Sequence, residues 1–181
     1  KIINAKHLGG VTSDTLAALD WAIINPIDSA EILSNSWGWG ISSCNELNPS
    51  LFDGDTISWT RYIDAAIDYY DVISVNAAGN YGFCGTSSLV APADSYNAIV
   101  VGNINDMNTA ARDDDVIYLT SSTGPTYDGR KKPDVVAPGA SIVSTNGLWE
   151  GNNPDFVSRT GTSLAAPHVS GAAALLKEYG I

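Results

Sequence analysis

Near its C-terminus the chain reads Thr160-Gly161-Thr162-Ser163-Leu164-Ala165-Ala166-Pro167-His168-Val169-Ser170-Gly171, followed by Ala172-Ala173-Ala174-Leu175-Leu176. Ser163 is the candidate nucleophile. Gly161 allows a turn just ahead of an apolar helix, which puts Ser163 in the first helical turn. Unpaired backbone N–H groups and the positive end of the helix dipole favour developing negative charge there. A serine that attacks a carbonyl at such a point has donors at hand for the tetrahedral oxyanion. Pro167 is tolerated only near a helix start and so should mark where the helix begins. Packing of small residues accounts for the alanines, but not for Gly-Thr-Ser ahead of Ala-x-Pro-His. A G-x-S-x-G elbow does not fit, because Ala165 stands where a glycine is required.

Three further segments precede this run: Ser34-Asn35-Ser36-Trp37-Gly38, Ala77-Ala78-Gly79-Asn80 and Lys132-Pro133-Asp134-Val135-Val136-Ala137-Pro138-Gly139. In this order, with the serine run, they resemble the motifs of the subtilisin-like serine proteases (peptidase S8) over nearly the whole chain. The resemblance implies an α/β fold of three layers around a mostly parallel sheet. It also implies that Ser36, Trp37 and Gly38 form one wall of a substrate pocket, and Ala77, Ala78 and Gly79 the other. Glycine suits a wall that a peptide backbone must approach closely. Asn80 is implied as the oxyanion donor, its amide offering N–H without bringing charge. The backbone N–H of Ser163 would be the second donor. Read by itself, Ala-Gly-Asn suits a left-handed turn equally well. The uncharged pocket implies a preference for an apolar or aromatic side chain before the scissile bond.

The spacing of the two cysteines, Cys44 and Cys84, says little. The resemblance sets both in loops beside the cleft, so a disulfide is expected, with two free thiols as the alternative. A disulfide would suit a secreted protein. By the same resemblance the Ala91–Pro92 bond is expected to be cis, with nearby carbonyls able to hold a structural calcium or sodium ion. No histidine or cysteine set has metal-ligand spacing, and no cofactor is implied for catalysis. A formal charge of −11 and a sequence pI near 4.2 argue against nucleic acid and anionic membranes as partners. Solubility is the plain reading of that acidity, although it could also collect calcium. No apolar run reaches membrane-spanning length.

Alternating apolar strands and amphipathic helices position these motifs in one domain, residues 1–181. Strands are expected at Ile2–Leu8, Ile32–Ser36, Val72–Asn76, Ala98–Gly102, Val116–Leu119 and Ile142–Thr145. Helices are expected from Thr12 or Ser13 to about Asn25, with Leu16, Leu19 and Ile23 inward, from Ile57 to Tyr70, with Ile63, Ala66, Ile67 and Tyr70 at helical spacing, and from Ser163 to about Tyr179. Trp37 to Thr56 reads as a surface loop. The N-terminus reads as the start of a strand, not as a signal peptide.

Serine hydrolysis needs a base and a carboxylate to orient it. The two histidines, His7 and His168, both read as packed or surface residues. The resemblance therefore implies that a segment ahead of Lys1 carries the Asp and the His, and that residues 1–181 are part of a subtilase catalytic domain. Alone they should be inactive. The missing strand would leave open sheet edges, to be filled by that segment or closed by dimerisation. The parent is expected to be a secreted serine endopeptidase acting on peptide or protein substrates. A non-catalytic binding or scaffold module of the same fold is the alternative.

Overall fold

The computed structural model describes residues 2, 12–27, 29–147 and 154–180. In chain order the elements are α1 (Thr12–Ile24), β1 (Ile32–Asn35), α2 (Ser58–Tyr70), β2 (Ile73–Ala77), β3 (Ile99–Asn105), β4 (Val116–Ile117), β5 (Val135–Pro138), β6 (Ile142–Thr145), β7 (Phe156–Arg159) and α3 (Thr162–Glu178). Short 3₁₀ turns lie at Cys44–Glu46 and Gly82–Cys84. Apart from Ile2, the strand expected at Ile2–Leu8 lies outside the described residues, as does His7.

The main sheet runs β1-β2-β3, all parallel, with β5 parallel to β3 and β4 antiparallel to its far end. β6 and β7 form a separate antiparallel hairpin. Helices cover both faces. Val75, Ala77, Val101 and Ala137 of the sheet meet Ala165 and Ala166 of α3. On the other face Leu33, Val72 and Ala98 meet Leu19, Ala22 and Ile23 of α1 and Ile63 and Ala66 of α2. The architecture is thus α/β in three layers. β2 is buried on both faces, which explains its apolar run rather than an alternation. Each large core side chain of this kind, such as fully buried Ile63 or Val75, contributes roughly 1.5–3 kcal/mol.

The structure departs from the sequence expectation in a few places. β5 and β7 were not expected. β5 is four residues closed by prolines, a pattern that reads as loop. β7 is equally short and mostly exposed, and only its pairing with β6 makes it a strand. Of the apolar residues at helical spacing in α2, Ile63 and Ala66 are buried, while Tyr70, its last residue, is exposed. Pro167 does not mark the start of α3, which begins five residues earlier at Thr162. Why the helix tolerates it there follows from the site.

Candidate active site

The turn into α3 presents Ser163. Gly161 precedes the helix with φ +156°, and its N–H donates to the Gly139 carbonyl at 2.9 Å. The Lys132–Gly139 stretch therefore holds the serine turn from behind. Pro167 has no N–H, so it cannot cap the Ser163 carbonyl as an ordinary residue four positions on would. The hydroxyl of Ser36, at the end of β1, donates to that carbonyl instead at 2.8 Å. The proline thus directs an orphaned carbonyl onto the neighbouring strand and pins the helix start to it. In return the Ser163 hydroxyl donates to the Ser36 carbonyl at 3.3 Å.

Asn80 follows β2 and faces the same turn. The Thr162 N–H donates to its Oδ1 at 2.9 Å and the Thr162 hydroxyl donates at 3.2 Å. A backbone N–H can only donate, so the amide oxygen must face Thr162 and Nδ2 must face away. The Gly79 N–H donates to the Thr162 hydroxyl at 3.2 Å, which fixes the hydroxyl's direction. A side chain at Gly161 would press on this amide: its Cβ would lie 3.3 Å from both Nδ2 and Oδ1 of Asn80. Nδ2 of Asn80 and the backbone N–H of Ser163 have no hydrogen-bond partner among the described residues. They are two donors without charge at one site.

The cleft beside them is lined by Ser36, Trp37, Gly38, Ala77, Gly79, Asn80 and Ser163, together with Thr162, Trp39, Tyr81 and Val90. The sequence-predicted residues therefore come together, with the exception of Ala78. Its position is one step further along β2's alternation. It is fully buried, packing with Leu89, Ala93 and Val100 away from the cleft. A polar network below the cleft sets the spacing of the walls. Register places Asn35 opposite Asn76. Asn35 Nδ2 donates to Asn76 Oδ1 at 3.0 Å and to Ser74 Oγ at 3.1 Å, and Asn76 Nδ2 donates to the Pro92 carbonyl at 3.0 Å. Such a satisfied buried network specifies one arrangement of both strand ends.

Cys44 and Cys84 form a disulfide, and the Ala91–Pro92 bond is cis. The carbonyls after Pro92 are served by Arg130, which donates to Asp94 O at 2.7 Å and Ser95 O at 3.0 Å. The Asp94 carboxylate is wholly buried and accepts from Thr60 and Gly54. Burial pushes that carboxyl up, against those hydrogen bonds and the charge of Arg130. Among the described residues no three His, Cys, Asp or Glu side chains are grouped as a metal site. No helix there is long and apolar enough to cross a membrane. His168 is exposed, with Nδ1 2.8 Å from the Leu164 carbonyl one turn back. That nitrogen is committed to its own helix.

Sequence reasoning missed four of the lining residues. Thr162 stood in the quoted motif, and its position next to Ser163 was the available signal. Tyr81 adjoins Asn80, and Trp39 continues the alternation of Trp37. Nothing in the sequence pointed to Val90.

A family model for the subtilase family, peptidase S8, matches residues 2–180. The chain belongs to the subtilase family. Among the curated relatives, serine protease AprX of Bacillus subtilis is 30% identical over 190 residues, 97% of this chain and 40% of that protein. The thermophilic serine proteinase of Bacillus sp. AK1 is 33% identical over 99% of this chain and 36% of its own length. Of the solved structures, the prenylagaramide maturation protease PagA superposes with a TM-score of 0.64 at 25% identity, covering 94% of this chain and 50% of that one. Fervidolysin of Fervidobacterium pennivorans gives 0.63 at 26%, covering 93% of this subtilase chain and 23% of its own. The chain thus spans half or less of the length of these relatives.

Proposed function

We propose that residues 1–181 are part of the catalytic domain of a serine endopeptidase. The observation that carries this is the shared anchoring of two groups: Thr162 holds the Asn80 amide with Nδ2 turned outward, and the next residue is Ser163. In the reaction Ser163 Oγ bonds to the carbonyl carbon of a peptide. The carbonyl π electrons move to oxygen, where Asn80 Nδ2 and the Ser163 N–H donate to the oxyanion. The hydroxyl proton passes to a base and from it to the departing amine as the C–N bond breaks. Water then releases the acyl group by the same route. The base and its orienting carboxylate would come from the rest of a longer protein. The shorter span of this chain against its relatives supports that assignment. β1 pairs with β2 alone among the described strands, and its other edge is where a strand from that segment, or from a second copy, would add.

No metal or cofactor enters this scheme. The carbonyls around Pro92, where the family resemblance allowed a calcium or sodium ion, are served by Arg130, so we place no ion there. The disulfide supports an extracellular location for the parent. Ser163 and Asn80 together favour catalysis over a binding module that lacks it. The test is hydrolysis of a chromogenic peptide by the full-length protein. Ser163→Ala should abolish turnover, with a loss on the order of the 10⁶-fold seen when subtilisin, a relative, loses its serine. Unchanged turnover in that variant would refute the proposal.

A further inference from the structure

Thr162 grips the Asn80 amide, but an amide is only as well placed as the backbone that carries it. Asn80 lies past the end of β2, between Gly79 and Tyr81, and both neighbours are tied to Ser122. The Ser122 N–H donates to the Gly79 carbonyl at 2.9 Å. The Ser122 hydroxyl oxygen accepts from the Tyr81 N–H at 3.0 Å. One residue thus bonds the chain on either side of the proposed oxyanion donor. One step further on, the Gly82 N–H donates to the Thr120 carbonyl at 2.9 Å. The fit is close: Gly79 has φ +102°, and a Cβ there would stand 2.9 Å from Ser122 Oγ.

Ser122 is wholly buried and does not line the cleft. It sits in the stretch 118–123, which is itself anchored at both ends. At one end the Tyr118 N–H donates to the Asn103 carbonyl of β3 at 2.9 Å, and the Asn103 N–H donates to Ser121 Oγ at 2.9 Å. At the other, the Ser88 N–H donates to the Thr123 carbonyl at 2.9 Å, and the Thr123 N–H donates to Ser88 Oγ at 3.0 Å. Ser88 and Asn103 are wholly buried as well. The stretch is therefore a fixed bracket, and Ser122 is the point where it meets the Asn80 turn. Glycine leaves such a turn conformationally free, so contacts must select the conformation that aims Asn80 Nδ2 outward. Thr162 does so through the side chain, and Ser122 through the backbone.

From this we infer that Ser122 is a positioning residue for the oxyanion donor: it does not touch substrate and acts through Asn80. The inference rests on the peptidase reading above. A donor already held where charge develops stabilises the transition state without reorganising. Without the Ser122 hydroxyl the Tyr81 N–H loses its acceptor, the turn relaxes, and Asn80 Nδ2 is aimed at the oxyanion for less of the time. A misplacement of about 1 Å can cost roughly 10²-fold, and outright loss of such a donor roughly 10²–10³-fold. Ser122→Ala should therefore lower kcat by about tenfold or more, and by no more than Asn80→Ala does.

The experiment is a double-mutant cycle on the full-length protein, combining Ser122→Ala with Asn80→Ala and using one chromogenic peptide. With Asn80 present, Ser122→Ala should lower kcat by about tenfold or more and change KM less. In the Asn80→Ala background, where the donor is already gone, the same substitution should change kcat by less than about twofold. Equal losses in both backgrounds, or a rise in KM with kcat unchanged, overturn the inference and leave the peptidase reading intact. Amide hydrogen exchange on the unsubstituted protein keeps the inference testable even where Ser122→Ala fails to fold. The Tyr81 and Ser122 amides should exchange far more slowly than unstructured amides; exchange of either at the unstructured rate overturns the clamp. No turnover by the unsubstituted protein and no reaction of Ser163 with a fluorophosphonate overturn the peptidase reading and this inference with it.

Discussion

The two sides of the cleft are built from different physics. The side at Ser163 is assembled from small residues and backbone: Gly161, Thr162, Asn80, Ser36 and Gly139, held by hydrogen bonds of 2.8–3.2 Å. The side at Val90 is assembled from bulk: Trp39, Tyr81, Val90, Phe52 and a disulfide. At the first side nearly every residue type is dictated, because a turn at φ +156°, a carbonyl orphaned by a proline and an amide that must face one way leave few alternatives. At the second, several sets of apolar side chains could fill the same volume. Reaction chemistry is thus proposed for the constrained side alone.

After Ser163→Ala itself, the largest effect is expected from Asn80→Ala. It removes the only side-chain donor proposed for the oxyanion and should lower kcat by the roughly 10²–10³-fold that the same loss costs subtilisin, with KM little changed. Steady-state kinetics on the full-length protein checks it; a change in KM alone would move Asn80 from the constrained side to mere binding. Next comes the Cys44→Ser, Cys84→Ser pair. Removing the disulfide should cost about 2–4 kcal/mol in urea unfolding, and it should lower kcat less than Asn80→Ala does. An equal fall in kcat would show that the two sides are not separable.

A smaller effect probes the pin between β1 and α3. Ser36→Ala removes the donor to the Ser163 carbonyl and should cost about 1 kcal/mol. In a Pro167→Ala background the helix supplies its own N–H at that carbonyl, so the cost of Ser36→Ala should shrink. Additive losses in this double-mutant cycle would contradict the stated role of Pro167. The smallest effect concerns Arg130, which holds the Asp53, Asp94 and Ser95 carbonyls away from the cleft. Asp128 bonds Arg130 Nε at 2.6 Å. Burial pushes its carboxyl up, but hydrogen bonds from Arg130 and Thr126 and the charge of Arg130 prevail and hold it below the usual range. A depressed value stabilises the fold above the ordinary carboxylate range and is lost as pH falls through the folded value. Asp128→Asn should therefore lower stability at pH 7 by no more than about 0.5 kcal/mol and have less effect in acid.

The same contrast explains how much was legible in the sequence. Ser163 could be read from its place ahead of an apolar helix, and Asn80, Gly38 and Gly79 from the resemblance of their segments to the family's motifs. The helices and the central strands followed from apolar periodicity. Val90 could not be read, since a valine ahead of Ala-Pro is a plain core residue until the chain folds it against the cleft. Ala78 was misjudged because a motif names neighbours while strand alternation decides which of them faces the pocket. β5 and β7 are strands by virtue of their partners, Val101–Ile104 and Ile142–Thr145, and four residues carry no period of their own.

The claim on which the rest depends is that Ser163 Oγ is the nucleophile. The most direct measurement is to treat the full-length protein with a fluorophosphonate and find the modified residue by peptide mass mapping. The account predicts one adduct, on Ser163, absent from Ser163→Ala and strongly slowed in Asn80→Ala. An adduct on another serine, with Ser163 unmodified in active protein, would contradict it.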